Sequence, residues 1–368
     1  MRRLLSVFLL GLLIAAPALA QSPVTECDRL AGLRYAPRVP GAPGAEYIPE
    51  PALAIAACEA ESARSPDDAY LRLQLGRAYL AGDRTDPRVA RLYASAIGAL
   101  PALARLRLGT LYDHGWAGLK HDQHRALALY SEACAMVGLP GALVGCNNVA
   151  LLLFDLGDAA QFPRAMGMLE SGCSAGDSYS CENFGYEFET GRHVARDLPR
   201  AVAIYRRACD AGSPLGCSNL GNALSRGFDG PVDLPGAVPL FRRACDMGEM
   251  YGCANLGWAL WQGWDGPPDA AAARPLFERA CQAEVAYGCG NLGDLYHDGA
   301  GVAQDRRESA RLYTLGCDGG DAWSCFILGE QLLAGDGIAA DPVRGRALIR
   351  QGCDLGETDA CTRADELR

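Results

Sequence analysis

Apolar residues recur along most of this chain at helical intervals, and the arrangement itself recurs every 36 residues. Ala201, Ile204, Tyr205, Ala208 and Cys209 stand at i, i+3, i+4, i+7 and i+8, and Ala237, Leu240, Phe241, Ala244 and Cys245 repeat them 36 residues on. That spacing lines one face of an α-helix, here called helix B. A second stripe follows each time, as in Cys289, Leu292, Gly293 and Tyr296, and predicts a helix A that opens the next unit from the second cysteine onward. Gly185, Gly221, Gly257, Gly293 and Gly329 recur inside helix A, where glycine is costly unless a neighbouring helix must come close. Asp197, Asp233, Asp269, Asp305 and Asp341 recur where helix B begins. They are expected to be N-caps rather than catalytic acids, because a carboxylate there accepts bonds from the free N–H groups and suits the helix dipole.

Cysteines flank the connection between the two stripes. Seven pairs run down the chain: Cys134/Cys146, Cys173/Cys181, Cys209/Cys217, Cys245/Cys253, Cys281/Cys289, Cys317/Cys325 and Cys353/Cys361. The last six are eight apart, with their first members separated by 36 residues. The two cysteines lie on either side of a tight turn between helix B and the following helix A, so an αα-hairpin brings them within bonding range. Zinc is the rival explanation for regular cysteines, but it asks for closer pairs such as CxxC or for nearby histidines.

Upstream the stripe persists without the thiols. Val89, Leu92, Tyr93 and Ala96 repeat helix B, while Ile97 and Arg105 occupy the two cysteine positions. Leu53, Ala54, Ala57 and Cys58 repeat it once more, with Arg72 where a partner thiol would stand. Cys58 and Cys27 are the two cysteines left over, and a Cys27/Cys58 bridge is expected.

The first residues bear on the oxidation state. Residues 1–20, MRRLLSVFLLGLLIAAPALA, read as a cleavable secretory signal, with two arginines, a short apolar run and a small-residue cleavage site. No later segment is apolar enough to span a membrane. Export to the periplasm or beyond the cell allows all 16 cysteines to persist as disulfides. Removing Arg2 and Arg3 takes the formal charge from −10 to −12, which leaves no electrostatic footprint for nucleic acid.

The expected fold is therefore all-α, a right-handed α-solenoid of about eight helix pairs stapled by disulfides. Its divisions are a signal over 1–20, a Pro-rich arm without regular structure over 21–50, degenerate repeats over 51–120, and disulfide-linked repeats with a C-terminal cap over 121–368.

The string NLGDLYHDGAGVAQDRRESARLYTLGC, residues 291–317, resembles a Sel1-like repeat, the 36-residue relative of the tetratricopeptide repeat. The ACxxGxxxGCxNLG junction is similar to that of the secreted Helicobacter cysteine-rich protein family. This resemblance implies an adaptor or binding scaffold. It also implies an alternative, because some cysteine-rich members are described as penicillin-binding proteins or weak β-lactamases.

The residues bear on that alternative. A serine β-lactamase of the known classes needs an S-x-x-K motif. The lone lysine, Lys120, has Ala117 three positions before it, which excludes that mechanism. His121 and His124 beside Asp122 form the one histidine cluster, with His114 a few residues earlier, and they are expected to be solvated in a first helical turn. No catalytic residue, metal ligand or cofactor is assigned.

The remaining expectation is a binding face. The resemblance implies that helix A lines the concave side, so the residues opposite its buried stripe should vary between units and face a partner. These are Glu182, Tyr186 and Glu189; Ser218, Asn222 and Ser225; Ala254, Trp258 and Trp261; Gly290, Asp294 and His297; Phe326, Glu330 and Leu333. Trp258 and Trp261 are one turn apart and are either interface anchors or local packing. An asparagine row, Asn148, Asn183, Asn219, Asn255 and Asn291, either bonds an extended peptide or satisfies carbonyls within its own units. A peptide or protein partner, or a second copy of the chain, is the expected occupant.

Overall fold

In a computed structural model, which describes residues 24–32, 48 and 50–368, the chain divides into two compact units that meet in sequence at Ser95 and Ala96. The expected signal and most of the Pro-rich arm lie outside the described residues. Every described element is helical.

The first unit contains α1 (Glu26–Ala31), α2 (Pro51–Arg64), α3 (Ala69–Gly82) and α4 (Arg88–Ser95). The α1 helix corrects the expectation of no regular structure over 21–50. It forms because Thr25 and Asp28 make a reciprocal capping box. It stays because Asp28, itself buried, accepts a bond from Gln74 Nε2 at 2.9 Å on α3. Arg77 adds a bond to the Gly32 carbonyl at 2.7 Å. Cys27 bonds Cys58 on α2, with their Cα atoms 4.7 Å apart.

The second unit runs through α5 (Pro101–His114), α6 (Gln123–Cys134), α7 (Ala142–Asp155), a 3-10 turn at Ala159–Gln161, α8 (Phe162–Ser174), α9 (Ser178–Thr190) and α10 (Leu198–Asp210). It continues with α11 (Pro214–Ser225), α12 (Leu234–Asp246), α13 (Met250–Gln262), α14 (Ala270–Gln282) and α15 (Ala286–Asp298). The last are α16 (Arg306–Asp318), α17 (Ala322–Ala334), α18 (Pro342–Asp354) and α19 (Thr358–Glu366). Odd-numbered helices are helix A and even-numbered ones helix B. From α6 onward each helix packs on the one before it, and each helix A also packs on the next helix A. This is an α-solenoid in which neighbouring pairs bury what one pair alone cannot. The α19 helix packs on α18 with Ala360 and Ala364 buried.

The five recurring aspartates cap helix B as expected; Asp197, for example, accepts the N–H of Arg200 at 3.0 Å. Helix A has its own caps, which the sequence reading did not identify. They lie four residues before its cysteine, at Asp177, Ser213, Glu249, Asp321 and Glu357.

All seven expected hairpin bridges form: Cys134–Cys146, Cys173–Cys181, Cys209–Cys217, Cys245–Cys253, Cys281–Cys289, Cys317–Cys325 and Cys353–Cys361, with Cα–Cα distances of 4.4 to 4.6 Å. Their placement corrects the sequence reading, which opened helix A at the second cysteine. The caps start it three residues earlier, so Cys181, Cys253 and Cys325 lie inside α9, α13 and α17 rather than at their edges. All three are buried, and so is Cys217 in α11. These sulfurs are therefore cross-links within the packed interior, and none of the four presents a surface to a ligand.

Helices approach so closely at the bridges because the residues just before the two cysteines are small, and one of them is always glycine. Ala208 faces Gly216, Ala244 faces Gly252 and Ala280 faces Gly288, each 2.6 Å from where the glycine's Cβ would be. Gly172 and Gly316 invert the arrangement and face Ser180 and Ser324. The junction without cysteines has Ala96 and Ala104 at these two places.

Candidate functional site

Helix A carries the side chains in question, and its two long faces meet different fates. The glycine face receives an aromatic ring from the helix B of its own pair: Phe241 on Gly221, Phe277 on Gly257, Tyr313 on Gly293. Where the ring is tyrosine, a carboxylate of helix A accepts its hydroxyl proton. Tyr205 donates to Glu189 at 2.9 Å, and Tyr313 donates to Asp294 Oδ1 at 2.6 Å.

The other face was expected to be open throughout, and part of it is closed. Ser218, Ala254 and Gly290 are buried. A Cβ on Gly290 would lie 2.6 Å from Ser324 Oγ, because the next helix A covers that position. One turn further on, Tyr186 is exposed, and Trp258, Asp294, His297 and Glu330 are half-buried.

Between α13, α15 and α17, Trp258, Asp294 and His297 line a cleft of about 520 Å³, while Glu330 lies outside it and pairs with Arg363 at 2.9 Å. Trp258 and Trp261 form one wall, edge to face with ring centroids 5.6 Å apart. Both are also packed into the fold, Trp258 against Tyr287 at 6.5 Å and Trp261 against Phe277 at 6.3 Å. Trp323 stands on the opposite wall and donates its indole N–H to Asp294 Oδ1 at 3.1 Å. The sequence reading missed Trp323. The signal was available, since an aromatic residue stands two positions before the helix A cysteine at Tyr179, Tyr251, Tyr287 and Trp323.

Burial pushes the Asp294 carboxyl up to about 6, against the two donated hydrogen bonds, and the charges of Asp298 and Asp321 add to the rise. Burial likewise pushes the Tyr287 hydroxyl up to about 12 and that of Tyr313 higher still. His297 faces Asp298 at 2.7 Å through Nδ1 and accepts a bond from Arg306 at Nε2. Arg306 in turn pairs with Asp336 at 3.1 Å.

The asparagine row commits part of its amides internally. Asn291 donates to the Tyr287 carbonyl at 2.7 Å, Asn183 to Asn147 at 2.9 Å and Asn255 to Asn222 at 3.2 Å. The Asn148 carbonyl accepts from Asn147 at 3.3 Å.

Away from this face, His121 and His124 are exposed and Asp122 caps α6 through the Arg125 N–H. His114 stacks on Trp116 at 4.3 Å. Among the described residues no group of three or more His, Cys, Asp or Glu side chains is arranged to hold a metal ion.

The chain matches the Sel1 repeat model at residues 102–136, 178–213, 214–249, 251–285, 286–321 and 324–357, together more than half its length. The gap at 137–177 contains the four extra residues between Cys134 and Cys146. Among solved structures, a Sel1 repeat protein from Oxalobacter formigenes is 22% identical, with a TM-score of 0.51 over 58% of this chain and 86% of that one. A protective antigen present in uropathogenic Escherichia coli strains is 21% identical, with a TM-score of 0.46 over 86% of this chain and 75% of that one. Helicobacter pylori cysteine rich protein B is 30% identical, with a TM-score of 0.30 over 35% of this chain and 93% of that one. No curated protein matches the chain in sequence.

Proposed function

The chain belongs to the Sel1 repeat family, and from that premise we propose that it is an exported, non-enzymatic scaffold that binds an extended segment of a protein partner along the helix A side chains of the second unit. Eight disulfides suit a protein that matures outside the cytoplasm, in the periplasm or beyond the cell. Repeat proteins of this architecture read partners with side chains that change from unit to unit on an otherwise constant frame.

The observation that carries the reading is the cleft at Trp258, Trp261, Tyr287 and Trp323, where three successive units contribute aromatic rings to one concavity. Tryptophan concentrates binding energy at interfaces, and a half-buried ring is already ordered before a partner arrives. Tyr186, Glu189 and the half-buried amides of Asn148 and Asn219 extend the face toward the N-terminal pairs.

The test is partner capture from envelope extract after cross-linking, comparing the native chain with a Trp258→Ala, Trp261→Ala variant. Capture should fall at least tenfold, the loss of about 1.4 kcal/mol or more that defines an anchor, while the circular dichroism spectrum stays unchanged. Undiminished capture would remove these residues from the binding face.

A further inference from the structure

We propose that the cleft between α13, α15 and α17 is a recognition site for an alkylammonium cation, held by the faces of its aromatic rings and by the carboxylate of Asp294. This deepens the groove reading, on which it rests, by giving the site a ligand chemistry.

The composition of the lining decides the sign of the ligand. Trp258, Trp261, Tyr287 and Trp323 present electron-rich rings, and Asp294, Asp298 and Asp321 are its carboxylates. Among the described residues no lysine or arginine lines the cleft, and His297, which does, already meets Asp298 and Arg306 through its two ring nitrogens. An anion would meet three carboxylates, and a neutral apolar ligand would strip water from Asp294 without replacing it. A cation gains from both the ring quadrupoles and the charges.

The three carboxylates are not equivalent. Asp321 serves as the α17 N-cap, with the Ser324 N–H at 2.9 Å and its hydroxyl at 2.5 Å both donating to Oδ2, so its charge is already committed to the helix end. Asp298 faces the His297 ring at 2.7 Å. Asp294 receives Tyr313 and Trp323 on the same oxygen, Oδ1, and among the described residues nothing donates to Oδ2. A half-satisfied carboxylate between tryptophans is what an ammonium group completes, and the burial that raises the Asp294 pKa makes its charge costly without such a partner.

An alkylammonium group reaches the cleft either on a free quaternary amine or on a lysine side chain of the protein partner, and two probes separate these sources. Choline, N-acetyl-lysine methylamide and 3,3-dimethylbutan-1-ol, the uncharged isostere of choline, are titrated into the oxidised full-length protein. Binding is followed by tryptophan fluorescence and calorimetry. At least one cation should saturate and bind about tenfold or more tighter than the isostere. Stronger binding of choline assigns a free amine, and stronger binding of the lysine derivative assigns a protein side chain.

Asp294→Asn keeps an acceptor for Tyr313 and should weaken the preferred cation about tenfold, with the circular dichroism unchanged. Trp323→Leu should weaken it by a similar factor from the opposite wall. Equal binding of cation and isostere, no saturation by either cation, or indifference to both substitutions would overturn the proposal. If partner capture persists in that case, the scaffold reading survives and the cation site alone falls.

Discussion

Gly221 and Phe241 are in contact across the second unit: a Cβ on the glycine would sit 2.6 Å from Cε1 of the ring. The same relationship joins Gly109 to Tyr130, Gly257 to Phe277 and Gly293 to Tyr313. In an isolated helix, alanine would be favoured over glycine by about 1 kcal/mol. Here the ring has nowhere to go, because Phe241 is 1% exposed. Gly221→Ala should therefore lower unfolding stability by about 1–3 kcal/mol. Adding Phe241→Leu should return part of the loss, and thermal denaturation of the single and double variants checks both signs.

The small-residue exchange at the bridged junctions makes a sharper demand. Gly316→Ala alone drives a methyl group into Ser324 and should destabilise by about 1–3 kcal/mol. Gly316→Ala with Ser324→Gly recreates the Ala–Gly order of Ala208 and Gly216 and should recover at least half of that loss. A double variant no better than the single one would show that the two positions are not coupled.

Replacing Cys209 and Cys217 together by serine removes a bridge between residues eight apart. Chain entropy assigns about 2.5 kcal/mol to a loop of that size. Urea denaturation of the double variant should show a loss of this order while the remaining seven bridges persist in non-reducing mass spectrometry.

Asp294 gives stability a pH dependence of unusual sign. Its carboxyl rises from an ordinary 3.8 to about 6 in the folded protein, so between these values the folded chain holds a proton that the unfolded chain has released. Stability from this group is greatest below pH 4 and is lost as pH rises through 6. The groups facing it are Tyr313, Trp323, Asp321, Asp298 and His297. The difference in melting temperature between the native chain and Asp294→Asn, followed from pH 4 to 7, should shift against the native chain as pH increases. A pH-independent difference would show that Asp294 titrates at its ordinary value when folded.

Much of this architecture was readable because the chain writes it repeatedly. One stripe such as Ala201, Ile204, Tyr205 and Ala208 predicts a helix, and its recurrence at 36 residues with paired cysteines predicts how helices join. The capping aspartates of helix B followed from position alone. The start of helix A did not, because its cap varies among Asp177, Ser213 and Glu249, and Cys181, Cys253 and Cys325 were the first apolar marks the eye could follow. The α1 helix was not legible, since the prolines around it outweighed a capping box of four residues. The junction exchange at Gly316 and Ser324 escaped notice because each substitution between small residues looks neutral until the helices are seen touching. Asp294 was identified as a face residue, but its half-satisfied carboxylate depends on Trp323 from the next repeat, and the recurring aromatic position before the helix A cysteine does not say which carboxylate it will meet.

Every bridge in this protein joins one cysteine to the next one along the chain, from Cys27 with Cys58 to Cys353 with Cys361. Exported as proposed, the polypeptide would present these thiols in the order in which they pair. An oxidase acting on each arriving couple produces the native set with no crossing and nothing to reshuffle. On the export proposed above, the consecutive pairing leaves an isomerase no crossed bridge to undo.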